Sequence, residues 1–274
     1  MANHAIYGTP MQNEEIPTPK SPIAQNRRAF LQTTALAAGA LTVAGKAGFT
    51  VAQAAGMGDG ASYPALPKLR EQALKASTLD TDGISRRTHE EHFKLYQGYV
   101  KKSNEILDKL TSASRDASKA NQTFSEIREL KVELTFALGG VKNHELYFDI
   151  LGGAGTSPSG KLLDEINRSF GSADAWAADL KATGIAARGW VWAAYDYDLK
   201  RLVNFIGDAQ NSYPVWNAVP ILALDVYEHA YYLDFATKRA DYIDAFLKNI
   251  DWNAVNVRFL QALAGGSGNL ATLA

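Results

Sequence analysis

Two long stretches in the first half of the chain carry apolar residues at steps of three and four positions, which places them on one face of an α-helix. The first stretch runs from an N-cap at Ser85 to about Thr111, and the second from about Phe124 to Ile150. The polar residues 112–122 separate them, which predicts an antiparallel helical hairpin. The apolar positions are Phe93, Tyr96, Tyr99 and Val100 in the first helix and Ile127, Leu130, Leu134, Ala137, Leu138 and Val141 in the second.

The pattern changes after the glycine-rich segment 152–155, which indicates an internal boundary. Short helices are predicted first, then two strands joined by a tight turn, then a third strand with Pro220 near its beginning, where proline is tolerated. Helices resume at about Glu228. The predicted ranges are helices over 160–170 and 172–183 and strands over 189–195, 199–206 and 219–224.

These elements predict an α+β fold, with a long antiparallel helical hairpin at the N-terminal side. A C-terminal lobe follows, with a small three-stranded antiparallel sheet and helices. The pattern divides the chain into three segments: residues 1–54, which carry none of these elements, an N-terminal helical hairpin domain over 55–150, and a C-terminal α/β domain over 151–274.

Composition narrows the possible functions. The chain has 274 residues, of which 21% are charged, and a formal net charge of −1, so nothing suggests a nucleic-acid partner. It has no cysteine, which excludes disulfides, thiolate metal sites and cysteine nucleophiles. Any metal must be held by His, Asp, Glu or backbone oxygen.

Residues 1–54 resemble a twin-arginine export signal. Arg27 and Arg28 precede an apolar stretch rich in Ala, Gly, Leu and Val, and a small-x-small pattern ends at 52–54. A membrane anchor is the alternative, but Gly, Thr and Lys residues interrupt the stretch before it reaches about 18 apolar residues. We expect a periplasmic or otherwise exported protein with no permanent membrane span.

Candidate chemistry begins with Asp225 and His229, which lie four residues apart. If this stretch is helical at its start, the carboxylate and the imidazole point the same way. Such a pair often only hydrogen-bonds at a helix surface, so the spacing alone does not predict a metal site.

The surroundings of this pair carry a family resemblance. Residues 225–234 and 239–242 closely resemble the C-terminal metal motif of the iron/manganese superoxide dismutases. The contexts of His92 and His144 resemble the first two ligand positions of that family, one on each helix of the hairpin. The resemblance implies four metal ligands, namely His92, His144, Asp225 and His229.

The family reaction converts superoxide to oxygen and hydrogen peroxide while one bound metal ion is alternately reduced and oxidised. Three neutral imidazoles and one carboxylate suit iron or manganese. The resemblance therefore implies a superoxide dismutase with one manganese or iron ion per chain, superoxide as its small-molecule substrate, and a homodimer.

The resemblance also assigns residues around the metal. Tyr99 resembles the gateway tyrosine and Trp190 the wall of the active site, while Glu228 and Tyr232 match residues that cross the dimer interface. The family has a glutamine that hydrogen-bonds the solvent on the metal. Here the second helix has Gly140 at the iron-type position, whereas Gln210 lies 15 residues before Asp225 on the β-hairpin side, which favours manganese.

Several positions depart from the family pattern. Tyr99 follows His92 by seven residues, one fewer than usual, which rotates it by about 100° on a regular helix. The family usually has a histidine between His92 and Tyr99. Here either Tyr96 replaces that histidine or the histidine is deleted. Tyr227 stands where Trp is usual, and Lys142 and Phe148 also differ.

Two alternatives stay open. The altered surroundings allow a metal-binding relative with changed or no dismutase activity. A ferritin-like di-iron bundle would need Glu-x-x-His on two helices. The run Glu90-Glu91-His92 has no matched second copy, which argues against that bundle.

Overall fold

The computed structural model describes residues 63–153 and 155–265. The proposed export signal over 1–54 lies outside the described residues. The helices are α1 Arg86–Ser112, α2 Glu126–Asp149, α3 Gly160–Phe170, α4 Ala173–Ala186, α5 Tyr232–Phe235, α6 Arg239–Lys248 and α7 Trp252–Gly265, and the strands are β1 Trp190–Asp196, β2 Arg201–Gly207 and β3 Ala218–Asp225. Short 3₁₀ helices cover Ala76–Asp80, Ala117–Lys119 and Glu228–Ala230. The predicted α+β class is confirmed.

The hairpin forms as its periodicity predicts. Ser85 caps α1 by accepting a hydrogen bond from the backbone N–H of Thr88 through its side chain. The second helix begins two residues after the predicted start at Phe124. The side chain of Asn121 accepts from the N–H groups of residues 123 and 124, which holds this segment in a turn and leaves Phe124 74% exposed.

The three strands form one antiparallel sheet in the order β2-β1-β3. The central strand β1 is buried along its whole length, which explains why its sequence is apolar without alternation. Pro220 lies on the outer strand β3, beside the register shift at Ala193 and Ala194. An outer strand tolerates a residue without an N–H.

The register of the sheet fixes one end of the site. Trp190, the first residue of β1, pairs with Gly207 on one side and with Asp225 on the other. One continuous core packs α1 and α2 against this sheet and the C-terminal helices. None of the helices in residues 63–153 and 155–265 is long and apolar enough to cross a membrane.

Candidate metal centre

Four side chains meet where the hairpin packs against the sheet. His92 comes from α1, His144 from α2, Asp225 from the last position of β3, and His229 from the 3₁₀ helix that follows. One potential ligand atom from each lies within 4.8 Å of the others. The structure therefore brings together the four residues that the sequence nominated, from elements that span both halves of the fold.

The stretch that holds Asp225 and His229 is not helical at its start, so the two side chains do not meet through a shared helix. Asp225 ends strand β3, where it pairs with Trp190, and the chain then turns before the 3₁₀ helix Glu228–Ala230. The Oδ1 atom of Asp225 accepts from the N–H of Tyr227 at 2.9 Å, which tightens this turn. The two side chains meet because a strand end is followed by a short turn.

The three imidazoles converge on one oxygen atom. The Oδ2 atom of Asp225 lies 3.1 Å from Nε2 of His92, 3.0 Å from Nε2 of His229 and 3.7 Å from Nε2 of His144. Since Oδ1 is engaged by the backbone, Oδ2 is the oxygen that remains for a metal ion.

The tautomer of His144 follows from its neighbours. Its Nδ1 lies 2.6 Å from the carbonyl oxygen of Gly140, so Nδ1 carries the proton and donates it. Nε2 is then an acceptor, and it is buried without a hydrogen-bond partner. Leaving a buried polar atom unsatisfied costs about 1–3 kcal/mol, and a metal ion would satisfy it. The donor set therefore fits a metal.

The protonation states of His92, His144 and Asp225 suit metal binding. Burial lowers the pKa of His92 to about 4 and that of His144 to about 3, which keeps both imidazoles neutral at physiological pH. Burial alone would raise the pKa of Asp225, but the charge of His229 and hydrogen bonds from His229 and His92 lower it. Burial lowers the pKa of His229, but the negative charge and hydrogen bond of Asp225 raise it, and the net shift is upward.

Gln210 lies beside the cluster and is almost fully buried. The indole N–H of Trp190 donates to its Oε1 at 3.1 Å, so the amide nitrogen of Gln210 faces away from the indole. The side chain of Gln210 also hydrogen-bonds the Tyr99 hydroxyl, and burial raises the pKa of Tyr99. The rings of Trp190 and Tyr99 lie 5.1 and 5.4 Å from that of His144.

Two adjacent glycines in α2 make this arrangement possible. A Cβ atom on Gly139 would lie 2.2 Å from the backbone oxygen of Gln210, and one on Gly140 would lie 2.6 Å from the Tyr99 ring. A larger residue at either position would push Gln210 or Tyr99 away. The requirement comes from contacts with distant segments, so the helix pattern gives no sign of it.

Asn143 has a positioning role that sequence reasoning missed. Its side-chain amide donates to the backbone oxygen of Gln210 at 3.0 Å, and its own oxygen accepts from the Trp192 indole at 3.1 Å. The only available signal was that Asn143 precedes His144 and that Trp192 lies two residues after Trp190.

The residues that depart from the family pattern lie in different places relative to the site. Helix α1 carries Tyr99 to the site despite the shorter spacing. Tyr96 does not reach the site, because its buried hydroxyl donates to Glu145 and accepts from the N–H of Gln72. Phe148 packs on His92 at 5.0 Å between ring centroids, and Lys142 is exposed.

Glu228 and Tyr232 lie on the open side of the site. The side chain of Glu228 is 65% exposed, and Tyr232 is 53% exposed. Together with Tyr99 and His229 they line one end of a groove of about 1190 Å³ that continues between α1 and α2. This groove leads from the surface to the ligand His229.

The fold and the ligand set define a class of protein: an α+β metalloprotein with a single three-histidine, one-aspartate site between a helical hairpin and a small antiparallel sheet. Within residues 63–153 and 155–265, no second group of His, Asp or Glu converges in this way. This argues against the di-iron bundle, which needs two metal positions.

Comparison with known proteins agrees with this class. Residues 74–152 match the alpha-hairpin domain, and residues 158–258 the C-terminal domain, of the iron/manganese superoxide dismutases. The "Superoxide dismutase [Fe]" of Aquifex aeolicus is 49% identical over 194 residues, which are 69% of this chain and 90% of that protein. The "Superoxide dismutase [Fe]" of Aquifex pyrophilus is 48% identical over 194 residues, which are again 69% of this chain and 90% of that protein.

A manganese protein is also similar. The "Superoxide dismutase [Mn] 1" of Halobacterium salinarum is 35% identical over 184 residues, 64% of this chain and 84% of that protein. The chain therefore belongs to the iron/manganese superoxide dismutase family, a family of oxidoreductases.

We predict that His92→Gln removes metal binding, because it deletes one of four protein ligands. His89→Gln is the matched control: His89 is buried one turn earlier on α1 but bonds Thr81 instead of joining the cluster. Metal per chain is measured by elemental analysis after purification under identical conditions. Stoichiometric iron or manganese in the His92 variant would contradict the assignment.

Proposed function

We propose that the protein disproportionates superoxide at one iron or manganese ion held by His92, His144, Asp225 and His229. The observation that carries this proposal is the buried, unpartnered Nε2 of His144, which faces the same oxygen as the other two imidazoles. When bound, the ion would supply one-electron redox chemistry, by which two superoxide anions and two protons are converted to oxygen and hydrogen peroxide.

The ligands also set the charge of the site. Two imidazoles are held neutral by burial, and Asp225 brings one negative charge. A trivalent ion in this set keeps a net positive charge, which favours entry of a small anion. The carboxylate therefore secures the ion without cancelling its attraction for superoxide.

We propose that Gln210, Tyr99 and Trp190 handle protons and order solvent beside the metal. Trp190 occupies Oε1 of Gln210, so the amide N–H groups of Gln210 are free to donate toward Tyr99 and the site. The half-buried Tyr99 lies in the groove, where its hydroxyl can exchange protons with water. This row of donors connects the buried site to solvent.

Two observations favour different metals. The position of Gln210, on the loop after β2 instead of on α2, favours manganese. The Aquifex relatives at 48% and 49% identity are named for iron. The general order of divalent-metal affinities places manganese below iron, so affinity alone would not select manganese. Reconstitution with each metal is therefore required to identify the working ion.

We predict that turnover follows metal content. The protein lacking residues 1–54 is loaded separately with iron and with manganese, and superoxide consumption is measured against metal per chain. Activity proportional to about one ion per chain identifies the working metal. Full occupancy with no turnover in either form would favour the metal-binding relative without dismutase activity.

We predict that Gln210→Ala keeps the metal but lowers kcat about tenfold or more, because one positioned donor typically contributes a factor of about 10² or more. Asn211→Ala is the control, since this neighbouring side chain is half-buried and bonds Thr135. Metal content and turnover are measured together. Equal turnover in the two variants would place the proton-handling group elsewhere.

We propose that a second copy of the chain covers the groove, so that Glu228 reaches His229 of that copy. The side chain of Glu228 is exposed beside a ligand and has only a long contact, 3.8 Å, with Arg239. The rim of the groove carries lysines and glutamates from α1 and glutamates from α2. The α1 lysines Lys94, Lys102 and Lys109 pair with Glu91 and Glu105 of the same helix. A rim that carries both signs of charge can be self-complementary, as a two-fold contact requires.

We predict that Glu228→Ala weakens this dimer. Removing one partner of a desolvated charged contact costs about 2–5 kcal/mol, which raises the dissociation constant by more than tenfold. Asp164→Ala is the control, because it also removes an exposed carboxylate, but on α3. Sedimentation velocity over a concentration series measures the association, and identical profiles for the two variants would contradict the proposed interface.

We propose that residues 1–54 direct export by the twin-arginine route, supported by Arg27, Arg28 and the apolar stretch that follows. This route carries folded proteins, so the metal would be loaded before export. We predict that Arg27→Lys with Arg28→Lys retains the full-length chain in the cytoplasm. Cell fractionation measures this, with Lys20→Arg as the control, and normal export of the double variant would refute the route.

A further inference from the structure

Gln210 lies on an irregular connection, residues 208–217, between β2 and β3. A side chain that must donate a hydrogen bond at a fixed place needs its backbone held to within about 0.5 Å. Asn143 fixes the backbone oxygen of Gln210 and Trp190 fixes its side chain. Neither contact joins this loop to the turn that carries the ligand His229.

Tyr227 makes that connection. Its hydroxyl donates to the backbone oxygen of Asp208, two residues before Gln210, at 3.3 Å. The carboxylate of Asp208 in turn accepts from the N–H of Arg188 at 3.1 Å, so Asp208 is held from both sides. The loop is thus anchored at its start by a residue from the metal-binding turn.

The ring of Tyr227 is itself tightly placed. It stacks on the His229 ring, with centroids 5.4 Å apart and planes 18° apart. A Cβ atom on Gly189 would lie 2.8 Å from the same ring, so glycine leaves room for it. The backbone N–H of Tyr227 also donates to Asp225. The hydroxyl therefore has a fixed direction.

We infer that Tyr227 is a positioning residue that couples Gln210 to the ligand His229, with its hydroxyl holding the Gln210 loop and its ring holding the imidazole. A tryptophan, which the family resemblance gives as usual at this position, has no hydroxyl and could donate only through its indole N–H. The hydroxyl bond to Asp208 therefore depends on a tyrosine at this position. The inference rests on the proposed role of Gln210.

The test is Tyr227→Phe, which keeps the ring and its stacking but removes the hydroxyl. Tyr197→Phe is the matched control, because that hydroxyl also donates to a backbone oxygen, that of Ala262, at the opposite end of β1. In the metal-loaded protein, Tyr227→Phe should leave metal content unchanged and lower kcat about three- to tenfold, the factor expected for one lost neutral hydrogen bond. The control should leave kcat unchanged.

Two further measurements separate positioning from a general structural effect. Amide hydrogen exchange over 208–211 in the metal-loaded protein should be faster in Tyr227→Phe than in Tyr197→Phe. In a Gln210→Ala background, Tyr227→Phe should cause no further loss of kcat, because the group it positions is gone. Unchanged exchange over 208–211, or an undiminished loss in that background, would overturn the inference.

If Gln210→Ala alone leaves kcat unchanged, the proposed role of Gln210 fails. Hydrogen exchange still decides whether Tyr227 holds the loop, so the two failures are distinguishable.

Discussion

The buried carboxylate of Asp225 is the constraint on which the rest of the structure depends. Taking a charge out of water costs several kcal/mol unless opposite charges or hydrogen bonds compensate for it. The compensation here comes from the N–H of Tyr227 on one oxygen and from His92 and His229 on the other. Because His92 belongs to α1, the hairpin and the end of β3 have to meet at this point.

Much of this arrangement could be predicted from the sequence, for physical reasons. The hairpin helices are long and keep a regular apolar period, and the buried strand β1 is apolar between clear turn residues. The four candidate ligands are found because the residues around Asp225 and His229, and the contexts of His92 and His144, resemble a family motif. Local pattern was sufficient for the helices and strands, whereas the ligand set came from the family resemblance.

The remaining features depend on contacts between segments far apart in the chain. The sequence does not reveal that Gly139 must be small, because the atom it would strike belongs to Gln210. It does not reveal that Tyr96 points toward Glu145, because α1 presents several aromatic residues and packing decides which one faces the metal. Asp225 and His229 meet without a shared helix, because a strand end and a 3₁₀ turn can also bring together residues four apart.

The distribution of the ligands along the chain has a thermodynamic consequence. A bound ion joins α1, α2, β3 and the turn after it, so it acts as a cross-link between both halves of a protein that has no disulfide. Unlike a disulfide, this cross-link stabilises the folded state by an amount that grows with free metal concentration, about 2.7 kcal/mol at 100 times the dissociation constant. The resistance of the protein to unfolding is therefore set partly by the metal supply of its surroundings.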